Sequence, residues 1–312
     1  MDIPVYLFTG FLDSGKTLFI KETLDDKQFA NGERTLLLLC EEGEEELDSA
    51  WLEKKNIFSE TLDDVSEITS KNLSALLKKH SASRVIVEYN GMWQLSVLYS
   101  NVPSEWIIYQ EICFNDANTF LTYNANMRSL VVDKLQNTDL AVFNRFGSGC
   151  DKEEFHKIVR GVSRRCDIVY EHENGDVEYD DIEDPLPFDI DAPTVEIGIN
   201  DFAIWYRDLL EDMPKYKNKT VKFTGVIAID KRIPSDSFII GRPVMTCCAE
   251  DIAFKGIMCK GRTQSMKNGD WIRLTAELRV EKNKMYRGEG PVLYLKDYAL
   301  TSAPAEPVAT FY

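Results

Sequence analysis

The 312-residue chain contains no apolar run approaching the roughly 20 residues that cross a membrane. Its longest, Leu36-Leu37-Leu38-Leu39-Cys40, has the length of a buried strand, so the chain is not expected to span a membrane itself. No basic segment followed by a long apolar one opens the sequence, and no secretory signal is expected. The seven cysteines, odd in number and scattered, exclude a disulfide framework and lead to the expectation of a reducing cytoplasm. The three histidines, His80, His156 and His172, are isolated and give no hydrolase triad. Positive charge is also short: 36 Lys and Arg face 52 Asp and Glu, for a net charge of −16. Residues 194–312 hold 18 Lys and Arg against 15 Asp and Glu, so the deficit falls on residues 1–193, which carry −19. A field of that sign argues against general nucleic-acid binding, which needs phosphate neutralisation. It leaves open a small nucleotide, whose phosphates sit in a local nest of N–H groups. Its plainest role is a solvated surface that aids solubility.

What is present begins with Gly10-Phe11-Leu12-Asp13-Ser14-Gly15-Lys16-Thr17, which matches the phosphate-loop pattern G-x-x-x-x-G-K-[ST]. The apolar run Pro4 to Thr9 precedes it as a strand, and Leu18 to Leu24 follows as the first turns of a helix. Loop N–H groups and the helix start hold phosphates, Lys16 reaches the outer two, and the Thr17 hydroxyl is suited to Mg²⁺. A turn of purely structural meaning is the alternative.

The length suits two domains. Strands are expected at 3–9, 34–40, 84–88, 106–114 and 140–143, with a short strand or loop at 61–69. Helices are expected at 15–25, 72–79, 129–136 and 151–165, and a hairpin about Asn174-Gly175. Alternation of this kind predicts a doubly wound, mostly parallel α/β sheet over residues 1–180. The run Glu41-Glu42-Gly43-Glu44-Glu45-Glu46 stands at the carboxyl end of the second strand, either as an acidic helix start or as a Mg²⁺-side acid. Glu88-Tyr89-Asn90-Gly91 has a carboxylate at a strand end and a glycine three residues on, the shape of a Walker-B and switch element. Residues 181–193, rich in Asp, Glu and Pro, read as a linker. Residues 194–312 then give one amphipathic helix, 200–210, and strands at 220–229, 237–240, 244–248, 254–259, 271–280 and 292–300. A small barrel of the oligonucleotide-binding (OB) type is expected.

Residues 1–170 resemble the CobW-type GTPases, relatives of urease- and hydrogenase-maturation GTPases that often act as metallochaperones. The resemblance rests on Gly10 to Leu18, Glu41-Glu42-Gly43, Glu88-Tyr89-Asn90-Gly91, Asn115-Asp116-Ala117 and Asn144-Arg145-Phe146-Gly147. It implies a slow nucleoside triphosphatase of the switch kind, using GTP, with ATP not excluded, and linked to metal homeostasis or metal insertion. It implies catalytic roles for Lys16 and Glu88. Nucleotide contacts would come from Gly10, Asp13, Ser14, Gly15, Lys16, Thr17, Leu18, Gly91, Asn144 and Arg145, and Mg²⁺ ligation from Thr17, Glu41 and Glu88. Three departures stand out. No cysteine lies between 62 and 72, where the family's C-x-C-C metal motif belongs; Gly147 replaces the family's guanine-reading aspartate; and Asp13 puts a carboxylate in the phosphate loop. Asp151, further along, is a candidate to reach the base. A second resemblance, carried by Gly241 to Asp251, Trp271 and Pro304 to Tyr312, is to the soluble domain of bacterial YcgQ-like proteins, which occur with a membrane segment and a permease.

Cys247 and Cys248, joined by Cys259 across a hairpin, are a candidate soft-metal site for an ion such as Zn²⁺, or else small buried core residues. Two functional expectations follow. One is a nucleotide-cycling hydrolase acting on a metal-receiving client or a permease, with a homo-oligomer possible. The other is a degenerate GTPase kept as a nucleotide-binding interaction or assembly module.

Overall fold

A computed structural model describes every residue except 1, 27, 28, 30, 44–46, 231, 247–250, 284, 285, 287 and 312. The chain divides into two compact units, Met1–Ile182 and Glu183–Tyr312.

The first unit is an α/β layer structure. Its strands are β1 (Ile3–Gly10), β2 (Thr35–Leu39), β3 (Ile57–Thr61), β4 (Arg84–Glu88), β5 (Trp106–Asp116), β6 (Leu140–Phe146), β7 (Asp167–His172) and β8 (Val177–Tyr179). They form one sheet in the order β3-β2-β4-β1-β5-β6-β7-β8, parallel except for the β7–β8 hairpin. Continuous apolar runs make these strands because both faces are covered: Val5, Leu7, Leu36, Leu38, Val85 and Val87 enter one core, while Phe8, Leu37, Ile86 and Ile112 enter the other. The helices are α1 (Lys16–Asp25), α2 (Ser49–Lys54), α3 (Ser70–His80), α4 (Leu95–Asn101), α5 (Ala117–Asn126), α6 (Arg128–Leu135) and α7 (Lys152–Val162). On α7 the spacing of Phe155, Val159 and Val162 buries one face, and Asp151 caps its start by accepting from the Glu153 N–H at 3.0 Å. The expected strand or loop at 61–69 is displaced. The strand is β3, and a 3₁₀ turn at Val65–Glu67 follows it, capped reciprocally by Asp64 and Glu67.

The second unit contains β9 (Val195–Glu196), α8 (Phe202–Glu211), α9 (Met213–Tyr216), β10 (Thr220–Ala228), β11 (Ser237–Val244), β12 (Ala253–Lys260), β13 (Trp271–Lys282) and β14 (Glu289–Thr301). The order β11-β12-β14-β13-β10-β9, with β11 also paired to β10, closes five strands into a ring. Within it β12 and β14 run parallel. Alternate burial along β10 sends Val221, Phe223 and Ile227 inward against Trp205 and Leu209 of α8. Leu186, Phe188 and Ile190 of the acidic, proline-containing stretch pack on this same core. The two strands expected at 237–240 and 244–248 are one strand ending at Val244. The ladder to β12 runs without a break from Ser237 opposite Lys260 to Val244 opposite Ala253, because Gly241-Arg242-Pro243 continues it. The Arg242 side chain, 1% exposed, is fixed by donating to the carbonyls of Ile199, Glu306 and Pro307.

Candidate functional site

The site is assembled at the carboxyl ends of β1, β2, β4 and β6, where open parallel sheets leave a crevice. β1 ends at Gly10 with φ +130°, and a Cβ there would lie 2.1 Å from the Phe114 carbonyl oxygen. Only glycine lets the loop leave β1 this close to β5. The loop then folds back, the Ser14 N–H donating to the Phe11 carbonyl at 3.3 Å, and Lys16 opens α1. The Lys16 ammonium donates to the carbonyls of Gly10 (3.0 Å) and Phe11 (2.8 Å) and pairs with the Glu41 carboxylate. The Lys16 and Glu41 side chains are 2% and 9% exposed.

Glu41 follows β2, and its other oxygen accepts from the Gly91 N–H at 3.3 Å. Glu88 ends β4 and accepts from the Thr17 hydroxyl at 2.6 Å. Burial raises the Glu88 pKa, opposed by the Thr17 hydrogen bond and the Lys16 charge. A Cβ on Gly91 would stand 2.6 Å from the Gly10 oxygen and 2.7 Å from the Phe11 Cα, so this position packs directly on the loop. From β6, the Asn144 amide donates to the Ser14 carbonyl and the Arg145 guanidinium to the Asp13 carbonyl. Arg145 also holds Asp116 at 2.7 and 3.0 Å. Partial burial acts to raise the Asp116 pKa, but the hydrogen bonds from Arg145 and the Asn118 backbone outweigh it and the net shift is downward.

Leu12, Asp13, Gly15, Lys16, Thr17, Leu18, Glu41, Gly43, Glu88 and Arg145 line one cleft of about 200 Å³. Thr17, Glu41 and Glu88 also line a neighbouring cavity of about 330 Å³. Gly10, Ser14, Gly91 and Asn144 stand behind the cleft and shape the loop. The sequence-predicted residues of this half are thus brought together, with hydrogen bonds linking segments up to 132 residues apart. Asp116, the anchor of Arg145, was missed, although Asn115-Asp116-Ala117 at a strand end was its signal. Asp151 is committed to capping α7, and Gly147 carries no carboxylate. Cys247 and Cys248 lie outside the described residues. Cys259, the third member of that group, lies on β12 opposite Phe238. Its thiol is fully buried, with burial pushing its pKa up to about 12. Among the described residues no group of three or more His, Cys, Asp and Glu is arranged to hold a metal ion, and no helix is long and apolar enough to cross a membrane.

A family model described as CobW/HypB/UreG, nucleotide-binding domain, matches residues 4–168, and one described as DUF1980 C-terminal domain matches residues 178–309. Solved structures similar to the chain include a Zn(II)-bound YjiA GTPase from E. coli, 14% identical with a TM-score of 0.44, covering 86% of this chain and 92% of that one. The hydrogenase maturation factor HypB from Archaeoglobus fulgidus is 16% identical with a TM-score of 0.38, covering 55% of this chain and 82% of that one. A Streptococcus mutans protein, provisionally named a two-component membrane permease complex subunit, is 23% identical over 93 residues, 30% of this chain. The chain spans about a third of that relative's length, 34%.

Proposed function

The chain belongs to the CobW/HypB/UreG nucleotide-binding family, and from that premise we propose that it is a Mg²⁺-dependent, slow nucleoside triphosphatase that binds GTP. The carrying observation is the buried Lys16 ammonium, held at the mouth of the loop by two carbonyls and one carboxylate that a bound phosphate would replace. Lys16 and the loop N–H groups would stabilise charge on the transferred phosphoryl group. The donor set fits Mg²⁺: a hydroxyl and two carboxylates, all hard oxygen ligands, border one cavity. Thr17 with Glu88 or Glu41 would hold the ion, which when bound neutralises phosphate charge. Gly91, its N–H now satisfied by Glu41, would be released to meet the outer phosphate. Asn144 and Arg145 would fix the loop rather than read the base. The OB-type barrel expected for the second unit is supported by its closed five-strand order with β12 and β14 parallel. That domain would present the nucleotide state to a metal-receiving client or a permease in the cytoplasm.

The test is a thermal-shift series of GTP, ATP, GDP and ADP with Mg²⁺, on the parent chain and Lys16→Ala. A ligand that binds only the folded state must raise its stability. A shift with GTP that disappears in Lys16→Ala is expected; equal shifts in both would sink the reading. The second reading, an assembly module that binds without turnover, is favoured by Gly147 and by the commitment of Asp151 to its helix. Phosphate release separates the two: nucleotide bound with no release above buffer supports the module.

A further inference from the structure

A cavity of about 480 Å³ lies beside the phosphate-loop cleft and shares Leu12 and Glu41 with it. The size is within the range of about 300–1,000 Å³ usual for binding pockets. One wall is apolar. The Phe11 and Tyr123 rings meet there at 4.5 Å between centroids, beside Leu12, Met92 and Met127. Leu12 and Met92 are 50% and 59% exposed. The lining also carries Glu41, Glu42 and Asp63, and among the described residues no Lys or Arg lines the cavity. Glu41 is matched by Lys16, but the Glu42 and Asp63 carboxylates have no cationic partner among the described residues.

We propose that this cavity docks an extended segment of a partner protein in which Lys or Arg stands next to Leu, Met or Phe. Charge complementarity selects the occupant. Two carboxylates without a cationic partner among the described residues share the cavity with thioether and aromatic groups, so a cation and an apolar side chain on one short segment satisfy both kinds of lining together. Methionine suits such a wall because its unbranched, polarizable side chain adapts to different shapes. A soft metal ion is a poorer occupant: no cysteine lies between 62 and 72, and the one thiol among the described lining residues, Cys40, is 2% exposed. A second copy of the same face would bring like charges together, residues 1–193 carrying −19. The proposal does not depend on nucleotide turnover.

A phage-displayed library of random twelve-residue peptides, panned on the full chain, tests it. Enriched sequences are expected to place Lys or Arg beside Leu, Met or Phe. A synthesised winner should bind Glu42→Gln/Asp63→Asn at least tenfold more weakly. It should bind the control pair Asp2→Asn/Glu22→Gln, exposed acids elsewhere on the same unit, within twofold of the parent, with all three chains melting alike. A photo-crosslinker at the apolar position of the peptide should label Met92 or Met127. Enrichment of acidic or uncharged sequences, or none, overturns the proposal. So does an equal loss in both variant pairs, which would mean that the acidic field alone attracts the peptide, and so does cross-linking confined to other residues.

Discussion

Glu111 lies on β5 with 2% of its surface exposed; one carboxylate oxygen accepts from the Tyr99 hydroxyl at 2.5 Å, and the other has no hydrogen-bond partner. Burial pushes its pKa up to about 7 from 4.5; Tyr99 opposes the shift, and the nearby Asp139 and Asp133 add to it. Between those values the folded chain keeps a proton that the unfolded chain has lost. Stability is therefore expected to fall as pH rises from about 4.5 to about 7, by as much as ~3 kcal/mol for a shift of this size. Glu111→Gln keeps an acceptor for Tyr99 and removes the titration. Urea unfolding should find it about 1–3 kcal/mol more stable than the parent at pH 8 and nearly equal at pH 4.5; the same difference at both pH values would refute the account. Gly91 makes a harder demand, because a methyl group there meets backbone on both sides, the Gly10 oxygen and the Phe11 Cα. Gly91→Ala is expected to lose about 1–3 kcal/mol from overpacking. Isothermal titration should also show weaker nucleotide binding, since the phosphate loop is what must move.

At the scale of elements, Asp151 shows how one residue's two readings are decided. Its carboxylate accepts the Glu153 N–H and starts α7. Asp151→Ala should cost about 1 kcal/mol in thermal unfolding while leaving the ratio of GTP to ATP affinity unchanged; a changed ratio would return it to the base. The central strands were legible because strands covered on both faces need unbroken apolar runs, as at Leu36 to Leu39 and Val85 to Val87. The loop, Glu41, Glu88 and Asn144 were legible because each lies at or near the carboxyl end of such a strand. α5 was not. Ala117–Asn126 holds three asparagines and two threonines, poor helix formers, and it forms because Asp116 caps it and Phe120 is buried against Phe143 and Phe155. β3 was hidden because it is an edge strand whose burial alternates. The place of Cys259 on β12, opposite Phe238, comes from strand register, which spacing alone does not fix. The Met92, Met127, Glu42 and Asp63 walls come from segments with no shared motif, so no pattern in the chain announces that cavity.

For the whole molecule, the two units have separate hydrophobic cores: one is built on Trp205, Phe223 and Leu274, and the other unit's are built on Val5, Leu7, Val87 and Phe8, Ile86, Ile112. The residues proposed to bind nucleotide all belong to the first unit. A ligand stabilises only the cooperative unit that binds it, by RT ln(1 + [L]/Kd), about 2.7 kcal/mol at a hundredfold excess over Kd. Scanning calorimetry of the full chain is therefore expected to resolve two transitions, of which Mg²⁺ with GTP raises one. Trp205→Ala, which empties a fully buried site in the second core, should lower the other by the equivalent of about 3–5 kcal/mol and leave the nucleotide-sensitive transition in place. If nucleotide instead raised both transitions together, the two cores would be unfolding as one cooperative unit. The cycle proposed for the first unit would then act on the second through shared stability, without any requirement for a distinct nucleotide-dependent arrangement.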